Sequence, residues 1–140
     1  MIYEKTSFNN FISLFAIYAF AEDIVIKSSQ LPGKAQNYIK DTFKNINVTL
    51  AEKYRHNYKV ILSNGITIKF NLSGEWEEIK SHQILPKGLL PLPVEKAVIL
   101  QNLGEIVKIE KDLGYYEVIL NNGFEIKVDN NGNILKIKQD

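Results

Sequence analysis

Cysteine is absent from the 140 residues, so neither a disulfide nor a thiolate metal site is available. Histidine occurs only at positions 56 and 82, with no H-x-x-x-H spacing, which leaves a zinc centre without its usual ligands. An excess of one charge is lacking too: 17 Lys and Arg face 16 Asp and Glu, for a net charge of +1. With no Lys/Arg cluster longer than two residues, there is no footprint for nucleic acid. No apolar run is long enough to span a bilayer; the longest, Phe11 to Phe20, has ten residues.

The motifs of catalysis are missing as well. No serine sits in a G-x-S-x-G elbow, and no G-x-G-x-x-G or Walker sequence cradles a nucleotide. Glu75, Glu77 and Glu78 surround Trp76, the only tryptophan. A glycosidase needs two carboxyls about 5–10 Å apart across a cleft. Strand alternation places Glu77 and Glu78 on opposite faces, which makes them solvated strand charges. Asp129-Asn-Asn-Gly-Asn133 superficially looks like a calcium loop, but it lacks the alternating oxygen ligands and the closing glutamate, and reads as a hairpin turn. No catalytic residue, metal site or cofactor is expected.

What is present is a repeat. Tyr58-Lys-Val-Ile-Leu-Ser-Asn-Gly65 returns 58 positions later as Tyr116-Glu-Val-Ile-Leu-Asn-Asn-Gly123, and from Tyr58 to Lys80 eleven of 23 positions are identical. Self-similarity at a fixed spacing is the sequence mark of a duplicated supersecondary unit. We expect unit 1 over 22–82, an apolar linker over 83–91 packed against the domain, and unit 2 over 92–140.

Residues 1–21 read as an export signal: the apolar run ends in Ala19-Phe20-Ala21, a small-x-small cleavage pattern. The expected destination is the periplasm or the exterior, with no membrane insertion after cleavage.

Each unit opens with Leu-Pro, at Leu31-Pro32 and Leu92-Pro93, and proline suits the first turn of a helix. Ala35, Tyr38, Ile39 and Phe43 then share one helical face, as Ala97, Leu100 and Leu103 do in a shorter second helix with Val94 and Val98 beside them. Gly104 suits the stop of that helix. Strands are predicted over Val48–Tyr54, Asn57–Leu62, Ile66–Asn71 and Glu75–Lys80. Their counterparts are Glu105–Lys111, Tyr115–Leu120, Phe124–Asp129 and Ile134–Lys138. The Asn-Gly pairs at 64–65 and 122–123 are hairpin signals, because both residues tolerate positive φ. The fold class is α+β: two tandem helix-plus-four-strand antiparallel repeats, in a continuous or paired sheet with the helices on one face.

Period two assigns the faces. Tyr58, Val60, Leu62, Ile66, Ile68 and Phe70 lie beneath the helix, with Tyr116, Val118, Leu120, Phe124, Ile126 and Val128 in unit 2. The open face carries Lys59, Ile61, Thr67 and Lys69, then Glu117, Ile119, Glu125 and Lys127. If Ile79 and Ile137 face the core, alternation throws Trp76 and Ile134 onto the open face.

The strand meander, with Tyr58, Val60, Leu62, Gly65, Ile68, Phe70 and Gly74 matched by Tyr116, Val118, Leu120, Gly123, Ile126, Val128, Asp129 and Gly132, resembles the PepSY-like family of bacterial periplasmic proteins. These are similar in fold to the beta-lactamase inhibitor protein. The resemblance covers about residues 30–140. It implies helices on one face of an open sheet, implies no catalytic residue, and suggests inhibition or chaperone-like binding. The Asp129 of the second turn is replaced by Asn71 in the first.

The function expected is non-enzymatic docking of a periplasmic protein partner on the open face. Trp76, Ile61, Ile119 and Ile134 would be anchors, ringed by Lys59, Lys69, Lys127, Glu117 and Glu125. Trp76 could instead pack on the linker or on the other unit. The alternative function is a small-ligand or envelope-sensing domain with a pocket between the units.

Overall fold

The computed structural model describes residues 24–140; the expected signal segment lies outside them. A single antiparallel sheet of nine strands runs in sequence order from β1 to β9. Strand β1 (Ile24–Ile26) and a turn of 3-10 helix (Ser28–Gln30) precede helix α1 (Gly33–Thr42). Then come β2 (Val48–Lys53), β3 (Asn57–Leu62), β4 (Thr67–Asn71) and β5 (Trp76–Lys80). Helix α2 (Leu92–Gln101) leads into β6 (Ile106–Lys111), β7 (Tyr115–Leu120), β8 (Phe124–Asp129) and β9 (Ile134–Gln139). The eight strands read from sequence all exist, and β1 is added at the edge against β2. The sheet is continuous rather than paired, because β5 zips to β6 through Glu78, Ile79 and Lys80 against Glu110, Ile109 and Lys108.

One core lies between the helices and one face of the sheet. Ala35, Ile39, Phe43, Val94 and Val98 cluster there with Val60, Ile68, Phe70, Ile79, Ile109, Val118, Ile126 and Val128. A side chain of this size that is fully buried contributes about 1.5–3 kcal/mol, so this stripe dominates the stability. Leu85 and Leu90 of the segment before α2 are buried in the same cluster, so that apolar stretch packs as expected, although Ile84 is exposed.

Two glycines fix where the helices land. Gly74 (φ +93°) and Gly132 (φ +88°) close the β4–β5 and β8–β9 turns in a backbone region that L side chains rarely adopt. A methyl group at Gly74 would lie 2.9 Å from Pro32 Cβ, and one at Gly132 only 2.6 Å from the Pro93 carbonyl oxygen. Each turn is therefore a bare platform on which the Leu-Pro start of a helix sits.

That docking corrects the reading of α2. Its inward face is Val94 and Val98, while Leu100 is 80% exposed and Ala97 and Leu103 are only partly buried. The rotation of α2 is set by Pro93 resting on Gly132, and apolar residues all round the helix give periodicity little to distinguish. The two helices have ten residues each, so α2 is not the shorter. It stops at Asn102 in the left-handed conformation (φ 50°), two residues before Gly104.

Candidate functional site

The face of the sheet opposite the helices is built from cross-strand rows. One row crosses all nine strands: Val25, Glu52, Lys59, Lys69, Glu78, Glu110, Glu117, Lys127 and Lys136, each the register partner of the next. The neighbouring row holds Leu50, Ile61, Thr67, Lys80, Lys108, Ile119, Glu125 and Lys138. Directly opposed side chains stand close enough to interact, so each row acts as one ladder.

Eight of the ten residues expected on this face are there: Lys59, Ile61, Thr67, Lys69, Glu117, Ile119, Glu125 and Lys127, all half-buried. Trp76 and Ile134 are not. Register partners are Lys69–Glu78 but Phe70–Trp76, so Glu77 is an extra residue in β5. Likewise Lys127 pairs with Lys136 and Val128 with Ile134, which makes Leu135 the extra residue in β9. A bulge of one residue reverses the face of everything beyond it. Trp76 therefore opposes Phe70 in the core with 8% exposure, and Ile134 packs against the same cluster beside Val128. The alternative reading of the tryptophan is nearer the outcome: its ring meets Tyr116 of β7 at a centroid distance of 6.2 Å.

Ion pairs organise the middle of the open face. Lys108 Nζ lies 2.9 Å from Glu110 and 3.4 Å from Glu78, while Lys69 lies 3.7 Å from the other oxygen of Glu78. Its hydrogen bond with Glu110 is the main reason the Lys108 ammonium holds its proton above the ordinary lysine range. Towards β9, Lys138 Nζ is 2.9 Å from Glu125, whose hydrogen bond raises the lysine in the same sense. Lys127 stands 5.4 Å above the Tyr115 ring.

Sequence reasoning missed one cluster. Carboxylate oxygens of Glu110, Asp112 and Glu117 lie within 4.8 Å of one another, because β6 and β7 form a hairpin that brings the three to one end. The spacing E-x-D-x4-E carries no recognised signal; only the pairing of Glu110 with Glu117 reveals it. Asp129, by contrast, is a turn residue: its Oδ1 accepts the Asn131 and Asn133 N–H groups at 2.9 Å. Those hydrogen bonds, chiefly from Asn133, hold its carboxyl below the usual aspartate range.

A recess of about 270 Å³ opens where β5 meets β6, lined by Thr67, Lys80, His82, Lys108 and Ile119. Ligand pockets of about 300–1,000 Å³ enclose a drug-sized molecule, so this one suits a single chemical group. His56 and His82 are both exposed. Among the described residues no helix is long and apolar enough to cross a membrane.

An open antiparallel sheet, backed by two helices and faced with ordered ion pairs, defines a class of α+β proteins that present a broad sheet surface. The family model described as beta-lactamase-inhibitor-like and PepSY-like matches residues 20–70 and 56–136, and the chain belongs to this PepSY-like family. A DUF2874-family protein from Bacteroides vulgatus, provisionally described as periplasmic, is 32% identical (TM-score 0.76; 86% of this chain and 99% of that chain covered). A protein from Bacteroides thetaiotaomicron, provisionally described as calcium-regulated and periplasmic, is 33% identical (TM-score 0.75; 84% and 97% covered). A third, from Bacteroides vulgatus and of unknown function, is 30% identical (TM-score 0.76; 84% and 99% covered). No curated protein matches the chain. Nothing in these likenesses points to catalysis.

Proposed function

We propose that the protein acts by binding in the periplasm, as an inhibitor-like module that docks a protein partner on its open sheet face. The observation that carries this reading is the pair of cross-strand rows, in which half-buried Ile61 and Ile119 stand among fixed Lys and Glu side chains. Apolar anchors within a polar ring concentrate interface energy, and a surface already ordered by its own ion pairs loses little entropy on docking. Leu50 and Tyr115 extend the anchor set that Trp76 and Ile134 leave. The 58-residue spacing and the order of one helix before each set of four strands support a tandem of two like units. The family's inhibitor-like description and the periplasmic description of its relatives agree with the reading.

The test is capture from periplasmic extract on the full chain and on two folded variants. A protein retained by the parent chain and by Leu100→Ser on the helix side, but lost with Ile61→Ser/Ile119→Ser, supports open-face docking. Equal retention by all three sinks it.

One observation favours a second reading, regulation by calcium. The Bacteroides thetaiotaomicron relative is described in those terms, and Glu110, Asp112 and Glu117 converge here. Calcium takes six to eight oxygens, so three carboxylates completed by water suit a weak surface site, with Lys108 competing for Glu110. Calorimetric titration with calcium chloride tests it: heat that vanishes in Asp112→Asn supports the site, and no heat removes it.

A further inference from the structure

The charges along the nine-strand row are segregated in a way the fold does not require. From β2 to β9 they read Glu52, Lys59, Lys69, Glu78, Glu110, Glu117, Lys127, Lys136. Positions 58 apart agree in sign at Glu52 and Glu110 and at Lys69 and Lys127. They are opposite at Lys59 and Glu117 and at Glu78 and Lys136. These two reversals gather three acidic strands, β5 to β7, between a lysine pair on β3–β4 and another on β8–β9.

Such grouping costs stability. Like charges directly opposite one another repel, and the row holds Lys59–Lys69, Glu78–Glu110, Glu110–Glu117 and Lys127–Lys136 as register partners. Asp112 adds a fourth carboxylate to the centre, against which, among the described residues, Lys69 and Lys108 are paired. The Oε2 of Glu78 is buried and accepts no hydrogen bond, with the Lys69 ammonium 3.7 Å away. The centre of the face thus sets four carboxylates against the ammonium groups of Lys69 and Lys108, and lysine pairs, Lys69 among them, stand on both flanks.

We propose that this face selects a partner that presents a cation between two anions. A Lys or Arg side chain of the partner seats over Glu78, Glu110 and Glu117, and acidic side chains of the same partner meet the lysine pairs on either side. Strands lie about 4.8 Å apart, so each lysine pair is centred about 12 Å from β6. This rests on the open-face docking reading and adds the chemistry of the partner.

The probe is a glycine peptide with arginine at its centre and glutamate four residues away on each side, a spacing of about 13 Å when extended. It is titrated into the full chain at low salt with a calcium chelator, followed by amide NMR, beside a sign-inverted peptide with glutamate between two arginines. The expected result is shifts centred on Glu78, Glu110 and Glu117, with the inverted peptide about tenfold weaker. Glu117→Lys installs the residue type found 58 positions earlier, and is expected to weaken the first peptide by a similar factor with amide dispersion retained. Lys136→Glu, on the exposed edge strand, is the second variant and is expected to weaken it less. Equal binding of the two peptides, binding away from β5–β7, or no binding overturns the proposal. So does a response at Glu110, Asp112 and Glu117 to calcium chloride alone. A captured partner that ignores Glu117→Lys but is lost with Ile61→Ser/Ile119→Ser overturns the charge proposal and leaves open-face docking standing.

Discussion

The Lys111 ammonium lies 4.2 Å from the centroid of the Trp76 ring, on β6 and β5 respectively, and Tyr116 flanks the same ring. Burial lowers the proton affinity of Lys111, since its charged head has left part of its water for an aromatic face. The only tryptophan is thus a joint between β5, β6 and β7 rather than a surface anchor.

Trp76→Ala should therefore act on stability. Removing a large buried aromatic costs about 3–5 kcal/mol, so the urea midpoint should fall well below that of the parent chain. The parent's tryptophan emission should be blue-shifted and poorly quenched by iodide until unfolding. Red-shifted emission from the native state would place Trp76 back on the surface.

Gly132→Ala and Gly74→Ala should each destabilise more than Gly65→Ala. All three have positive φ, and that strain alone costs about 1–2 kcal/mol. Only the first two would also force a methyl group into Pro93 or Pro32, whereas Gly65 has open space. Equal losses in denaturant titration would mean that the helix starts do not rest on these turns.

Val98→Ser should cost about 2–3 kcal/mol and Leu100→Ser less than about 0.5. Val98 is 3% exposed and Leu100 80%, although both were apolar candidates for the inward face of α2. A reversed order in unfolding measurements would restore the face that spacing suggests.

Alkaline stability should depend on Tyr38. Burial raises its phenol to about 12 from 10.0, with a hydrogen bond to Thr42 opposing the shift. Its ring meets Phe43 and Phe70 edge-on at 6.3 and 6.1 Å. The folded state favours the neutral phenol, so this contribution is complete below pH 10 and is lost as pH rises towards 12. The thermal midpoint should drop over that window, and more steeply than in Tyr38→Phe. Parallel curves would show that Tyr38 ionises freely.

Much of this fold is legible locally. Alternation in Tyr58–Leu62 and Tyr116–Leu120, closed by Asn-Gly turns, placed four strands and their inner faces correctly. The same alternation misplaced Trp76 and Ile134, because Glu77 and Leu135 are bulge residues with no sequence mark of their own. The acidic group at Glu110, Asp112 and Glu117 escaped notice since its members meet only across a hairpin.

By itself the sequence determined eight of the nine strands, their turns and eight residues of the open face, since these follow from the intrinsic period of a strand and the φ tolerance of Asn and Gly. Tertiary structure decided the facing of Trp76, the rotation of α2, the union of β5 with β6 and the grouping of charge across nine strands. Each of those depends on register between strands or on one element landing on another, and neither is encoded within a single window of the chain.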